Sequence, residues 1–228
     1  MPVSQSRGSF RDILADGRPF QSNWEFGQRG KIGSVCKDSI GGTVAQQGRK
    51  VEELLKARKV LLNNMIDDDL AALIIAQLLF LEDMDSTSPI ELWVRSPGGV
   101  TSASLAVIDS MKSLSAPVHT RCVGKVAGTA ALIVTCGTPG ARLMSKGSTL
   151  QLCNPTVEGP DGVQRDDWEA SRHEEMRLLR ERLVEIVVVA SGRSVGEVSR
   201  AFDQGRVFDA KAAWSFGLVD GMTLETGP

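Results

Sequence analysis

The chain has 228 residues, a length that suits one domain of ordinary size with a substantial buried core. Its formal net charge of −2, with 42% hydrophobic and 24% charged residues, excludes both a broadly basic binder of nucleic acid or anionic membrane and a largely disordered polymer. The longest apolar run, Leu70 to Leu81, is interrupted by Gln77 and falls short of the ~18 residues a spanning helix needs, so it reads as a buried helix.

Residues 1–46 are rich in glycine, serine and arginine and carry little periodicity. They read as an N-terminal extension ahead of a domain over residues 47–228. The extension nevertheless holds Phe10, Phe20, Trp24 and Phe26, and a purely solvated segment has few aromatics. Part of it is therefore expected to lie against a neighbouring surface. Asp12, Asp16 and Glu25 interrupt it and it has no apolar core, so it does not read as a targeting peptide as it stands.

From Gly48 onward helical and strand patterns alternate. Val51 to Lys56 suits a short helix and Val60 to Leu62 a buried strand. Asp67, Asp68 and Asp69 put negative charge at the start of a helix over Leu70 to Leu81, where the helix dipole favours it. Ile90 to Val94 reads as a strand that stops at Ser96-Pro97-Gly98-Gly99. Thr101 or Ser102 is the expected cap of the next helix, which runs to about Ser113.

A strand over Pro117 to Val123 precedes a small-residue helix expected from about Ala127 to Val134. Ala141 to Met144 and Thr149 to Leu152 are strand-like, and Glu158 to Gly162 is a turn by composition. The longest helix is predicted from about Asp166 to Ala190. Its apolar stripe, Met176, Leu179, Leu183, Ile186 and Val187, fits either packing on its own domain or docking on another subunit. Ser194 and Glu197 have capping-box spacing for a short helix. Val207-Phe208 is a strand, Asp209 caps a helix through Trp214, and Gly217 ends it. Repeated alternation of this kind predicts an α/β domain with mostly parallel strands.

Cys36, Cys122, Cys136 and Cys153 form no C-x-x-C pair, and the histidines are only His119 and His173. The pattern suits reduced thiols in a reducing compartment and no metal site.

Five segments, in this order and spacing, resemble the proteolytic subunit of the Clp protease, ClpP. They are Ile66-Asp67-Asp68-Asp69, Ala76-Gln77-Leu78-Leu79-Phe80-Leu81, Ser96-Pro97-Gly98-Gly99, Ala106-Val107-Ile108-Asp109-Ser110-Met111 and Phe216-Gly217-Leu218-Val219-Asp220. The resemblance runs from about Val51 to Met222. It implies the ClpP/crotonase type of fold, repeated ββα units around a twisted sheet, with a projecting handle helix at about residues 156–191 that interlocks two rings.

The chemistry departs from that pattern. The family serine lies in G-x-A-A-S-M-G-A, which here reads Gly124-Lys125-Val126-Ala127-Gly128-Thr129-Ala130-Ala131, so the nucleophile's position holds Gly128. The family histidine lies in M-I-H-Q-P, here Gln151-Leu152-Cys153-Asn154-Pro155, which puts Cys153 in place of the base. The aspartate's position, before R-F-x-S/T, holds Gly205. By the same carry-over, the backbone N–H groups of Gly99 and Thr129 remain as an oxyanion-hole remnant. Hydrolysis of a peptide needs a nucleophile, an adjacent base and a group that orients it, and neither glycine supplies an atom to that chain. Of the neighbours to weigh as substitutes, Thr129 lies about 100° around the helix, Ser148 is on the preceding loop, His119 and His173 are not where a base belongs, and Asp203 lies two residues before Gly205, where an insertion could shift it.

The resemblance thus implies a non-catalytic subunit of the ClpR type. Such relatives in cyanobacteria, plastids and apicomplexan plastids lack triad residues and assemble with active ClpP subunits. The expected partners are ClpP and other ClpR-type subunits in a tetradecameric double ring, and an AAA+ Clp chaperone through the assembled core. No nucleic acid, membrane, cofactor or metal is expected, and the chloroplast stroma is the expected compartment. Family aromatics before S-P-G-G form an apolar pocket for chaperone loops. Here Trp93 keeps one and Glu91 replaces another, which argues against docking on this subunit's own surface. Two other readings remain open: a crotonase-like acyl-thioester enzyme and a homo-oligomeric, non-catalytic binding protein.

Overall fold

A computed structural model describes residues 51–155 and 166–223, with side chains in the second span from residue 174. The aromatic-bearing extension, its boundary with the domain, Cys36 and the turn at 158–162 lie outside the described residues.

A short helix α1 (residues 51–56) leads into strand β1 (Lys59–Asn63). Helix α2 (Asp68–Met84) follows, with Asp67 as its N-cap accepting the Leu70 N–H at 2.8 Å, and Asp68 and Asp69 in its first turn. The acidic triplet acts here as the sequence suggests, in part as a cap and in part through the dipole. The C-terminus of α2 is closed by Arg58. Its guanidinium donates to the carbonyls of Leu81, Asp85 and Ser88 at 2.8–2.9 Å, satisfying groups a helix end leaves open.

Strand β2 (Ile90–Arg95) runs to the Ser-Pro-Gly-Gly turn and helix α3 (Thr101–Ser113). The expected cap at Thr101 or Ser102 is not used. Val100 is the N-cap and, as a valine, has no side-chain oxygen to cap with; its place is set by the backbone, its N–H donating to the Ile66 carbonyl at 2.7 Å. Strand β3 (Val118–Cys122) is followed by a strand the sequence did not disclose, β4 (Lys125–Ala127), so the small-residue helix begins later than expected, as α4 (Thr129–Thr135). Every residue of α4 is buried, and its alanines allow that depth.

Strands β5 (Leu143–Ser145) and β6 (Thr149–Gln151) part into different sheets. Helix α5 (Asp166–Ser191) is the long helix, α6 (Val195–Asp203) opens with the capping box of Ser194 and Glu197, and β7 (Val207–Asp209) leads into α7 (Ala210–Phe216). Asp209 caps α7 through the Ala212 N–H, and Gly217 ends it in the left-handed region. A last strand, β8 (Gly221–Thr223), was also unforeseen.

The main sheet has the order β1-β2-β3-β5-β8 with every pairing parallel; β4-β6-β7 form a smaller sheet, parallel at β4-β6 and antiparallel at β6-β7. The fold is therefore mixed α/β with a parallel sheet, as expected. Alternate residues of β1 to β3 (Val60, Leu62, Leu92, Val94, Val118 and Cys122) enter the core, where Ile74 and Leu78 of α2 and Val107 and Ile108 of α3 are also buried. The opposite sheet face is only partly covered, with Leu61 half exposed. That is uncommon for parallel strands, which usually have both faces buried.

The stripe of helix α5 packs on its own domain: Leu183 and Val187 are buried and Met176, Leu179 and Ile186 half-buried, Leu179 and Ile186 against the core, whereas Leu178, Glu181 and Arg182, off the stripe, are exposed. Its C-terminal end is held by Arg142, a nearly buried side chain that donates to the carbonyls of Thr135 at 3.1 Å and Ala190 at 2.9 Å and pairs with Asp220 at 2.9 and 2.5 Å. Asp220 also accepts the Gly140 and Arg142 N–H groups. One ion pair thus joins α4, α5, β5 and the approach to β8.

Burial by itself would raise the Asp220 carboxyl, but the Arg142 guanidinium and the two backbone donors outweigh it and hold the group below its ordinary value. A carboxyl lowered by folding contributes stability that is present above the ordinary carboxylate range and lost as pH falls through the folded value. Asp220→Asn is expected to cost about 3 kcal/mol at pH 7, since it leaves a buried guanidinium uncompensated. Urea unfolding should show the gap between native and variant chains closing as pH falls below about 4.

Candidate functional site

The cleft begins where β2 ends. Ser96 Oγ accepts the Gly98 N–H at 3.1 Å, which folds the turn on itself. Ile66 then brackets the turn from one side, donating to the Gly98 carbonyl at 2.9 Å and accepting from Val100 at 2.7 Å. This approach requires a glycine at 99: a Cβ there would lie 2.0 Å from the Ile66 carbonyl oxygen. With residues 98 and 100 bonded to Ile66, the Gly99 N–H is directed to the opposite side of the turn. There Ala127 donates to the Ser96 carbonyl at 2.9 Å, and Thr129 N stands 3.2 Å from where a Cβ of Gly98 would be.

Between β4 and α4 sits Gly128, whose N–H donates to the Gln151 carbonyl at 3.1 Å. Its φ of 57° and ψ of −132° make a sharp strand-to-helix elbow in a region that side-chain-bearing residues rarely occupy. Thr129 opens the helix, so its N–H has no acceptor within α4. Its hydroxyl, by contrast, is buried and accepts from Ser104 Oγ at 2.7 Å. Among the described residues neither the Gly99 nor the Thr129 N–H donates to another backbone group.

Cys153 follows β6 and is half buried. A Cβ built on Gly128 would lie 3.5 Å from its Sγ and 3.4 Å from the Pro97 carbonyl oxygen. The fold thus brings residues 99, 128, 129 and 153 to one place. Gly205 is nearby but faces elsewhere: its carbonyl accepts from Gln151 Nε2 at 3.0 Å, and that amide is the only group within 4 Å of its Cβ direction. Gln151, which pins this turn, was not singled out in the sequence. The antiparallel β6-β7 pairing that places it there links residues more than fifty positions apart and leaves no local signal.

The other candidates are occupied. Ser148 Oγ accepts the Gly124 N–H at 2.8 Å and is buried. Asp203 is exposed and pairs with Arg180 of α5 at 2.6 Å, with Asn154 at 3.5 Å; the Arg180 guanidinium, against a small opposing effect of burial, holds its carboxyl below the ordinary range. His119 lies on β3 beside Glu91, away from the elbow. The side chain of His173 is outside the described residues. Burial pushes the Cys122 thiol up to about 12 and that of Cys136 up to about 11, which keeps both protonated and inert.

Chemically, the cleft presents two amide donors that could receive a carbonyl oxygen, and one thiol. Among the described residues the thiol makes no hydrogen bond, and no imidazole or carboxylate is paired with it to act as a base. A family model described as Clp protease matches residues 43–225.

The elbow carries a stability prediction. The space beside Gly128 admits a side chain, but the backbone there does not suit one, so Gly128→Ser should lower stability by about 1–3 kcal/mol. Chemical denaturation of the two proteins checks this; an unchanged midpoint would mean that the elbow relaxes at no cost.

Proposed function

The chain belongs to the Clp protease family, and on that premise we propose that it is a non-catalytic, ClpR-type subunit of a hetero-oligomeric Clp core ring. Members of this family assemble into Clp protease oligomers. The observation that carries the proposal is Gly128 at the elbow: the position facing the Cys153 thiol and the Pro97 carbonyl has no side chain. Gly205 offers no orienting group, and among the described residues no imidazole or carboxylate bonds to Cys153. Backbone hydrogen bonds hold the cleft in shape without any of these side chains, which suits a subunit retained for its form.

In such a ring the chain supplies chamber wall and sets the spacing of its neighbours' active sites. The exposed part of α5 and the half-covered sheet face are the surfaces that ClpP and other ClpR-type subunits would cover. The AAA+ chaperone engages the assembled core rather than the strand face of this subunit. Trp93 Nε1 donates to Glu91 at 3.1 Å, Arg121 pairs with the same carboxylate at 2.9 Å, and the Arg121 guanidinium lies 5.8 Å from the Trp93 ring centre. An apolar loop seated there would have to desolvate this pair. A plastid stroma is the compartment this reading assigns, since rings that include strongly degraded subunits are a plastid trait of the family.

The purified full chain is expected to leave fluorogenic peptides uncleaved, and native mass spectrometry of the particle from its source is expected to show this chain beside an active ClpP-type subunit. Peptide turnover abolished by Cys153→Ala would overturn the proposal. A particle built of this one subunit type would favour the homo-oligomeric binding protein instead.

A further inference from the structure

Away from the cleft, α6 and the β7–α7 corner enclose a second concavity of about 320 Å³, lined by Arg193, Glu197, Arg200, Gln204, Arg206 and Phe216 among others. Three guanidiniums meet one carboxylate there, in a chain whose net charge is negative. The carboxylate is already engaged: Glu197 accepts from Ser194 N at 3.1 Å and Ser194 Oγ at 2.8 Å in the capping box, and lies 3.6 Å from Arg193. Arg193 is engaged too, donating to the carbonyls of Ser215 and Phe216 and lying 5.4 Å from the Phe216 ring centre.

Arg200 and Arg206 differ. Both are exposed, and neither side chain makes a hydrogen bond or ion pair among the described residues. Arg206 is nevertheless positioned, its guanidinium 4.6 Å from the Phe208 ring centre and 5.5 Å from that of Phe216, while the two rings pack at 5.0 Å. Stacking orients the guanidinium while leaving its N–H donors open, and Arg200 enters the same concavity from α6. Planar guanidiniums with unused donors match the paired oxygens of a carboxylate or phosphate.

We propose that this concavity is a binding site for an oxyanion group, a carboxylate or a phosphate, held by Arg200 and Arg206 over a floor of Phe216, Ala201 and Ala212. An occupant would bridge α6 to the β7–α7 corner. The site shares no side chain with the cleft, so it stands or falls independently of whether this chain cuts peptides.

The test uses the full-length, ¹⁵N-labelled chain, titrated separately with inorganic phosphate and with N-acetylglutamate while the arginine side-chain resonances are followed. Saturable shifts are expected for at least one probe, and which probe binds identifies the source of the oxyanion. Arg200→Gln and Arg206→Gln are each expected to weaken binding at least roughly tenfold, whereas Arg177→Gln, which removes an exposed arginine paired within α5, should leave it unchanged. Unaltered far-ultraviolet circular dichroism shows that each variant is folded. Absence of saturable binding by both probes, or equal affinity in the Arg200 and Arg206 variants, would overturn the proposal.

Discussion

The contact between the Ile66 backbone and Gly99 governs the cleft. No side chain fits between them, and two hydrogen bonds from Ile66 fix residues 98 and 100 on either side. Once the turn is held so, the Ala127 N–H reaches Ser96 and the elbow at Gly128 closes against Pro97. The start of α2 depends on the same place, because the residue after Ile66 is the Asp67 cap. A backbone-to-backbone bracket therefore sets the end of β2, the start of α3, the elbow and the cap of α2 together.

That arrangement makes the form of the cleft independent of any side chain at residues 128 and 205. The contacts that shape it are made largely by main-chain groups, aided by Ser96 Oγ in the turn, Gln151 Nε2 at Gly205, and the Thr129–Ser104 and Ser148–Gly124 pairs. At residue 128 the backbone conformation disfavours a side chain, so glycine relieves strain that any other residue would add.

Much of the fold was legible because its signals are local. Asp67 to Asp69, Ser194 with Glu197, Asp209 and Gly217 each begin or end a helix through a contact within a few residues. What escaped depends on distant partners. Strand β4 is three residues long, and Lys125-Val126-Ala127 continues smoothly into a helical composition; only its pairing with β6 makes it a strand. The cap of α3 was misplaced because Ile66, more than thirty residues earlier, claims the backbone of Val100. The Arg142–Asp220 pair spans 78 positions and has no periodic trace. At the cleft, a Cβ on Gly128 would stand 3.5 Å from the Cys153 thiol, whereas Gly205 turns towards Gln151, a contact between residues distant in sequence that leaves no local trace.

The long helix, about 39 Å by its 26 residues, is gripped near its base from three directions. Arg142 holds the Ala190 carbonyl, Arg182 reaches Asp109 on α3, and Arg180 reaches Asp203 and Asn154. Through Arg180 the long helix is tied directly to Asn154, the immediate neighbour of Cys153, so the seating of the helix and the wall of the cleft share one side chain.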